Sequence, residues 1–427
     1  MSGVKEIKEI KEIKESLHQP IDVPDPTRDQ PLLLIGNPDN RRTQGMQEAR
    51  HRLGLKPAVV LPYAQLLQNW RHGGTIADTV DSKLPVPLIR IDAPGEDWEV
   101  ERELLFLGAM NDTTTLTDGM GAEAFSTEQA LSLEQEWGRI YAPAQWFRGW
   151  KACLDRIGHE AREMWPEVRF MNDPSDIQLM FDKRQCQHHL SSHGVQIPPV
   201  LTSSQPIRSY TNLRTAMQSA GMNRVFVKLA SGSGASGVVA YQVNPRTGDE
   251  IAVTTMGMEL IQGKTIFFNE GRLRKYTGSE EIATLMNWLC AEGAQIERWM
   301  PKATLDQRAY DIRQLVAGGQ AGHAIMRLSR TPITNLHLRN ERMLPAEAGL
   351  DEQRMSLVRT AAQAAMSSFP NSWSAGIDVM LTSGANPRAY VLDVNPFGDL
   401  LYRVEHHGLG TYEWEMELLR KEPIQHA

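Results

Sequence analysis

Residues 391–399 read VLDVNPFGD, an apolar run in which Asp393 and Asn395 stand two positions apart. Side chains alternate faces along a strand, so these two would point the same way. Taken alone, the stretch reads either as a strand running out into an Asn-Pro turn or as two oxygen ligands aimed at one point. A second acidic strand, GIDVML (376–381), is separated from YVLDVN (390–395) by the turn-rich TSGANPRA. An antiparallel hairpin with Leu381 opposite Tyr390 puts Asp378 directly opposite Asp393, with Cβ atoms about 4.5–5.5 Å apart. Two carboxylates at that spacing repel unless a cation lies between them. Asp378, Asp393 and the Asn395 amide oxygen make an all-oxygen set suited to Mg2+, which also keeps waters and phosphate oxygens.

Lys228 lies in VFVKLA among residues that call for burial, and a buried lysine needs a partner. The strand leads into Gly232-Ser233-Gly234-Ala235-Ser236-Gly237. Glycines there allow close backbone approach and offer N–H donors to anionic oxygen; a plain flexible hairpin is the competing reading. Lys183, after Asp182 in FDKRQC, starts a helix. Alone it is a surface lysine. Two lysines, a glycine hairpin and a later Asp-Asn pair form a more selective combination.

Three other readings of the glycines fail on context. The GxGxxG pattern of a dinucleotide fold needs a helix next, but VVAYQV follows. A kinase loop would require HRD and DFG sequences, and neither occurs. GMELIQGKT (257–265) has five residues between its glycines, one too many for a P-loop.

The elements that must position these groups fill 427 residues, enough for two or three domains. Charged residues at 23% and hydrophobic ones at 41% describe a globular chain. A net charge of −7 argues against a general nucleic-acid surface. Cys153, Cys186 and Cys290 are far apart and odd in number, which suits a reducing cytosol rather than a disulfide framework. No apolar run approaches the roughly 20 residues of a membrane helix, and no secretory apolar region opens the chain.

KEI occurs three times from Lys5 to Ile13, a solvated and frayed helical pattern, and IDVPDPTRDQP (21–31) reads as a linker. From Leu32 strand and helix patterns alternate: LLLI closed by Gly36, then MQEARHRLGL, PAVVLPYAQLL, LIRID and DWEVERELLFLGAM. That grammar predicts an open α/β domain over roughly 30–110. Residues 111–170 are rich in helix signals and Trp. From about 175 the pattern changes: one helix across SDIQLMFDKRQCQHHLSSHGV, then strands RVFVKLA, VVAYQV, TIFFNE, AQIERWM, DIRQLVAG and AGHAIMRLS. A helix, SLVRTAAQAAMSSF, precedes the two acidic strands. This half is α+β with mostly antiparallel sheet. His188-His189 and His406-His407 read as surface residues, the second pair close enough after the acidic strand to touch a substrate.

In this order the motifs resemble the ATP-grasp superfamily of carboxylate ligases over roughly 170–400. FDKRQC with LSSHGVQIPP resembles its lysine-bearing helix. VKLASGSGASGVV resembles its second lysine and phosphate-covering loop, with Ala235 where glycine is common. IERWM (296–300) resembles the hinge that reads adenine, followed by Asp311 and Arg313 as the D-x-R element. GIDVM and LDVN resemble the metal-binding strands, Asp393 replacing a more usual glutamate. RLSRTPITNLHLRN is most similar to the ribosomal-protein glutamate-ligase-like group and, with the first third, points to a bacterial branch. Arg327 and Asn335-Leu336-His337 match that group, whereas Arg339-Asn340 stand where it has glycines.

The resemblance implies an N-terminal open α/β domain (31–170, after a charged extension 1–30) and two α+β subdomains, 171–300 and 301–427, sandwiching ATP. It implies nucleotide contacts from Lys183, Lys228, Gly232, Ser233, Gly234, Ser236, Gly237, Glu297, Trp299, Met300 and Asn335. The metal, Mg2+ with Mn2+ as the alternative, falls to Asp378, Asp393 and Asn395, and catalysis to Arg327 and, more weakly, Arg313. The implied reaction activates a small-molecule or peptide carboxylate as an acyl phosphate and joins it to an amine in the cytoplasm, with no nucleic-acid or membrane partner and oligomerisation left open. The alternatives are an ester- or macrocycle-forming peptide-modifying enzyme of the same fold and a non-catalytic ATP-binding partner protein.

Overall fold

The computed structural model describes residues 31–81, 83–111, 123–232, 236–334, 341–398 and 401–421. The KEI repeats lie outside them. The first layer is a parallel sheet of β1 (Leu32–Gly36), β2 (Val59–Pro62), β3 (Leu88–Ile91) and β4 (Arg169–Phe170), in the order β2-β1-β3-β4. Its helices are α1 (Arg41–Arg52), α2 (Tyr63–Arg71), α3 (Trp98–Met110), α4 (Thr127–Ser132) and α5 (Pro143–Met164). All five residues of β1 are buried because both faces are covered. Leu33 and Ile35 pack with α2, α3 and α5, whereas Leu32 and Leu34 pack with α1 and the C-terminal residues Tyr412, Trp414 and Met416.

The expected single helix over 175–194 is two, α6 (Pro174–Phe181) and α7 (Lys183–Ser192). Buried Asp182 breaks it: its backbone is extended, and its carboxylate accepts from the N–H groups of Arg184 and Gln185 as the cap of α7. After α8 (Tyr210–Ser219) comes an antiparallel sheet of β5 (Arg224–Leu229), β6 (Val238–Val243), β7 (Glu250–Ile261), β8 (Lys264–Tyr276) and, beyond α9 (Ser279–Glu292), β9 (Ala294–Arg298). GMELIQGKT is the tip of the β7–β8 hairpin. Its Gln262 and Gly263 both have positive φ, as a two-residue type I′ turn needs.

The third sheet holds β10 (Thr304–Leu305), β11 (Arg308–Ala317), β12 (Gln320–Ser329), β13 (Glu341–Met343), β14 (Ser374–Leu381) and β15 (Ala389–Asn395), with α10 (Glu352–Ser367) on one face. Met180, Cys186 and Leu190 pack into this third core although they precede the second sheet. The closing helix α11 (Thr411–Lys421) packs on α1 of the first layer. Packing thus crosses the expected divisions at 171 and 301. Among the described residues no helix is long and apolar enough to cross a membrane, and the three cysteines are buried and unpaired.

The hairpin of the two acidic strands is antiparallel, but its register is not uniform. Leu381 pairs with Ala389, and Met380 takes Tyr390, so the expected Leu381–Tyr390 pair is not made. A bulge at Leu392 then shifts the ladder by one residue, and Asp378 does stand opposite Asp393.

Candidate active site

Alternation along β5 splits its residues between two faces. Val225, Val227 and Leu229 enter the core under α8 and α9, so Phe226 and Lys228 face the other way. There Phe226 joins Val238, Ala240, Val253, Leu273, Trp299 and Ile333 in a small apolar surface. The Lys228 ammonium lies 2.6 Å from the carboxylate of Glu297, on the neighbouring strand β9. Burial alone would lower the Lys228 pKa. Glu297 first, then Asp393 and Asp378, outweigh that and leave it raised. The two aspartates belong to the third sheet, so Lys228 feels charge from across the gap between sheets.

On the third sheet the carboxylates are matched by guanidinium groups. Arg313, opposite Asp378 across β11 and β14, donates to both oxygens of Asp378. Arg327 Nη2 lies 3.0 Å from Asp378 Oδ1, and Arg327 Nε donates to Asp311 Oδ1 at 2.7 Å. Asp311 is also held by Lys302 at 2.8 Å and by the Thr334 hydroxyl. Desolvation would raise the Asp378 pKa, but Arg313 and Arg327 hold it well below the usual carboxylate range. The D-x-R pair and Arg327 are therefore one buried network.

Lys183 connects the two sheets. Its Nζ lies 3.2 Å from Asp393 Oδ2 and donates to the carbonyl oxygen of Gly232 at 2.9 Å. Its backbone N–H donates to Ala230 at 2.8 Å, which ties the start of α7 to the glycine loop. Gly237 closes that loop with φ of 69°, and a Cβ there would lie 2.3 Å from Leu229, so only glycine fits. Ser236 is half-buried beside it. Ser233, Gly234 and Asn335 lie outside the described residues, as does the Asn335-Leu336-His337 stretch.

Two buried polar atoms near Lys228 close no hydrogen bond among the described residues: Glu297 Oε2 and Gln295 Nε2. One accepts and one donates, beside the apolar surface around Phe226, which suits a purine with its amino group and ring nitrogens. Trp299 packs on Phe226 at 5.5 Å with Arg224 over its ring at 4.1 Å, and its backbone N–H donates to the Arg224 carbonyl. Met300 follows, half-buried. A cation fits Asp393 and Asn395 best. The Asn395 amide nitrogen donates to Gly376 at 2.9 Å, which leaves its oxygen for another partner. Asp378, expected as a third ligand, has both oxygens on arginine.

Sequence reasoning missed Phe226, Gln295 and Ile333; the period-two alternation in VFVKLA and AQIERWM carried the signal for the first two. The histidine pairs split. His188 and His407 are exposed, while His189 contacts the Ser368 carbonyl at 2.6 Å. His406, expected at the surface, is half-buried with its ring 5.5 Å from both His323 and Trp414.

No protein-family model matches the chain, and no curated protein matches it. Among solved structures it is similar to D-cycloserine synthetase DcsG over 91% of this chain and 99% of that one, at 14% identity and a TM-score of 0.49. It is similar to the ATP-grasp ligase PsnB complexed with a minimal precursor variant, Mg and ADP, over 92% and 99%, at 12% identity and 0.47. For the macrocyclase MdnC bound with precursor peptide MdnA from Microcystis aeruginosa MRC the values are 92%, 100%, 12% and 0.46.

Proposed function

We propose that this chain is an ATP-dependent carboxylate–amine ligase of the ATP-grasp type. The observation that carries the reading is Lys183, whose ammonium joins Asp393 on one sheet to the glycine loop of the other. A triphosphate lying between those sheets would meet Lys183, Lys228 and the loop N–H groups, with its base on the Phe226 surface beside Glu297 and Gln295. Asp393 and Asn395 would hold Mg2+, while Asp378 stays on Arg313 and Arg327; Mn2+ suits the same oxygens. The metal would supply charge neutralisation on the phosphoryl oxygens.

A substrate carboxylate oxygen attacks the γ-phosphorus, and the bond to ADP breaks. Direct attack of an amine on a carboxylate fails because oxide is the leaving group, and phosphorylation replaces it with phosphate. The amine nitrogen then attacks the acyl carbon, the C–O bond breaks, phosphate leaves with one former carboxylate oxygen, and the nitrogen gives up its protons. Arg327 and Arg313, held in place by Asp311 and Asp378, face the negative charge of these steps. The acyl donor is a small-molecule or peptide carboxylate, and the buried free thiols suit a reducing cytoplasm.

An oxygen-18 label tests the intermediate. With a turned-over carboxylate labelled in both oxygens, one label per turnover is expected in inorganic phosphate. Label in AMP would replace the acyl phosphate by an acyl adenylate.

A further inference from the structure

The strand order β2-β1-β3-β4 reverses direction at β1: the chain leaves it for β2 on one side and returns to β3 on the other. Open α/β sheets bind ligands at such a switch point, outside the carboxyl ends of the strands. Here those ends are Gly36-Asn37 and Ile91-Asp92, locked together by the Asp92 N–H donating to Ile35 at 2.9 Å. Asp92 is 2% exposed, and neither of its carboxylate oxygens has a hydrogen-bond partner. Asn37, 6% exposed, spends its amide nitrogen on the carbonyls of Pro94 and Gly95, and its Oδ1 has no donor.

Buried acceptors left without donors cost about 1–3 kcal/mol each, so three of them at one sheet edge call for a donor-rich group. Arg90 does not fill that role. Its Nε stays 3.8 Å from Asp92, while its two terminal nitrogens donate to Glu415 at 2.9 Å and to the Phe397 carbonyl at 3.0 Å. Residue 36 is glycine, and a Cβ there would meet Leu34 at 2.9 Å and both Thr43 and the Asp92 Cβ at 3.4 Å, so the chain passes too close to its neighbours at this edge for a larger residue. The Tyr412 hydroxyl, also buried, closes no hydrogen bond. Phe397 is two residues beyond Asn395, which sets this edge beside the acyl-transfer site.

We propose that the carboxyl edge of β1 and β3 binds the acceptor amine in its resting ammonium form, held by the Asp92 carboxylate and the Asn37 amide oxygen, and that Asp92 takes the proton which must leave before the nitrogen can attack. The assignment rests on the ligase reading for the word acceptor, but the binding does not. An ammonium brings three N–H donors and one positive charge, which match three acceptor atoms and one carboxylate.

The test uses the full chain without ATP, so a protein with no ligase activity can still pass it. Methylammonium chloride is titrated at constant ionic strength while the melting temperature is read, with tetramethylammonium and potassium chlorides as comparison salts. Saturable stabilisation by methylammonium alone is expected, with apparent affinity lowered about tenfold or more in Asp92→Asn. An equal effect of tetramethylammonium, which has no N–H donor, overturns the proposal, as does an undiminished effect in Asp92→Asn. Stabilisation by potassium alone overturns it in favour of a metal-ion site. Where Asp92→Asn does not fold, the wild-type preference between the cations decides.

Discussion

Asp378 and Asp393 stand directly opposite each other across β14 and β15, and each is neutralised from a different direction. Asp378 takes Arg313 and Arg327 from its own sheet, whereas Asp393 takes Lys183, the residue that also holds the glycine loop. The pair is thus where the two antiparallel sheets are electrically joined.

Arg327 sits between Asp311 and Asp378, and all three are buried. Arg327→Met leaves two buried carboxylates short of a cation, which should cost about 3–5 kcal/mol in urea unfolding. Arg327→Lys should recover part of the loss. An Arg327→Met chain as stable as wild type would contradict the network.

Lys183 is half-buried and bridges rather than fills a core. Lys183→Met should leave stability within about 1 kcal/mol and reduce kcat/KM for ATP about a hundredfold. Initial-rate kinetics beside a thermal melt separates the two effects.

Arg90 touches the turn that follows the strand of Asp393 and Asn395. With Arg42, which donates at 3.2 Å, it holds the Phe397 carbonyl, while Asn172 holds that of Pro396. As a positioning residue, Arg90 should show itself in metal dependence. Arg90→Met should raise the Mg2+ concentration for half-maximal activity about tenfold or more, and Arg90→Lys should restore some of it. A fall in kcat with unchanged Mg2+ dependence would mean Arg90 only supports the fold.

Glu101 offers a pH test. Burial, with a smaller push from Asp97 and an opposing pull from Trp146, takes its carboxyl up to about 7. The folded state then holds a proton that the unfolded chain releases above its ordinary value near 4.5. Stability therefore falls as pH rises from about 4.5 to about 7 and is level above that. Glu101→Gln should remove up to about 2 kcal/mol of this decline, so the variant should melt higher than wild type at pH 8 and no higher at pH 4.

Much of this was legible in the sequence, because period-two alternation in GIDVML and YVLDVN sets both aspartates on one face. The opposition of Asp378 and Asp393 followed from a register that is one residue off at the far end. The Leu392 bulge restored it, and nothing in an apolar run announces a bulge. Asp182 could have been read as a helix break, since Asp before Lys-Arg-Gln is an N-cap as readily as a helical residue. The arginines on Asp378 were not legible as its partners: Arg313 and Arg327 lie on other strands, and sheet order is set by long-range packing. The Asn37 and Asp92 edge was missed for the same reason, as strands 32–36 and 88–91 become neighbours only once β2 has passed to the far side.

The central claim is best tested by nucleotide product analysis, with Mg·ATP and pooled amino acids and peptides, on wild type and Asp393→Ala. ADP and phosphate released only with a particular pool, and lost in Asp393→Ala, is the predicted result. AMP with pyrophosphate, or ADP release indifferent both to every pool and to Asp393, would contradict it.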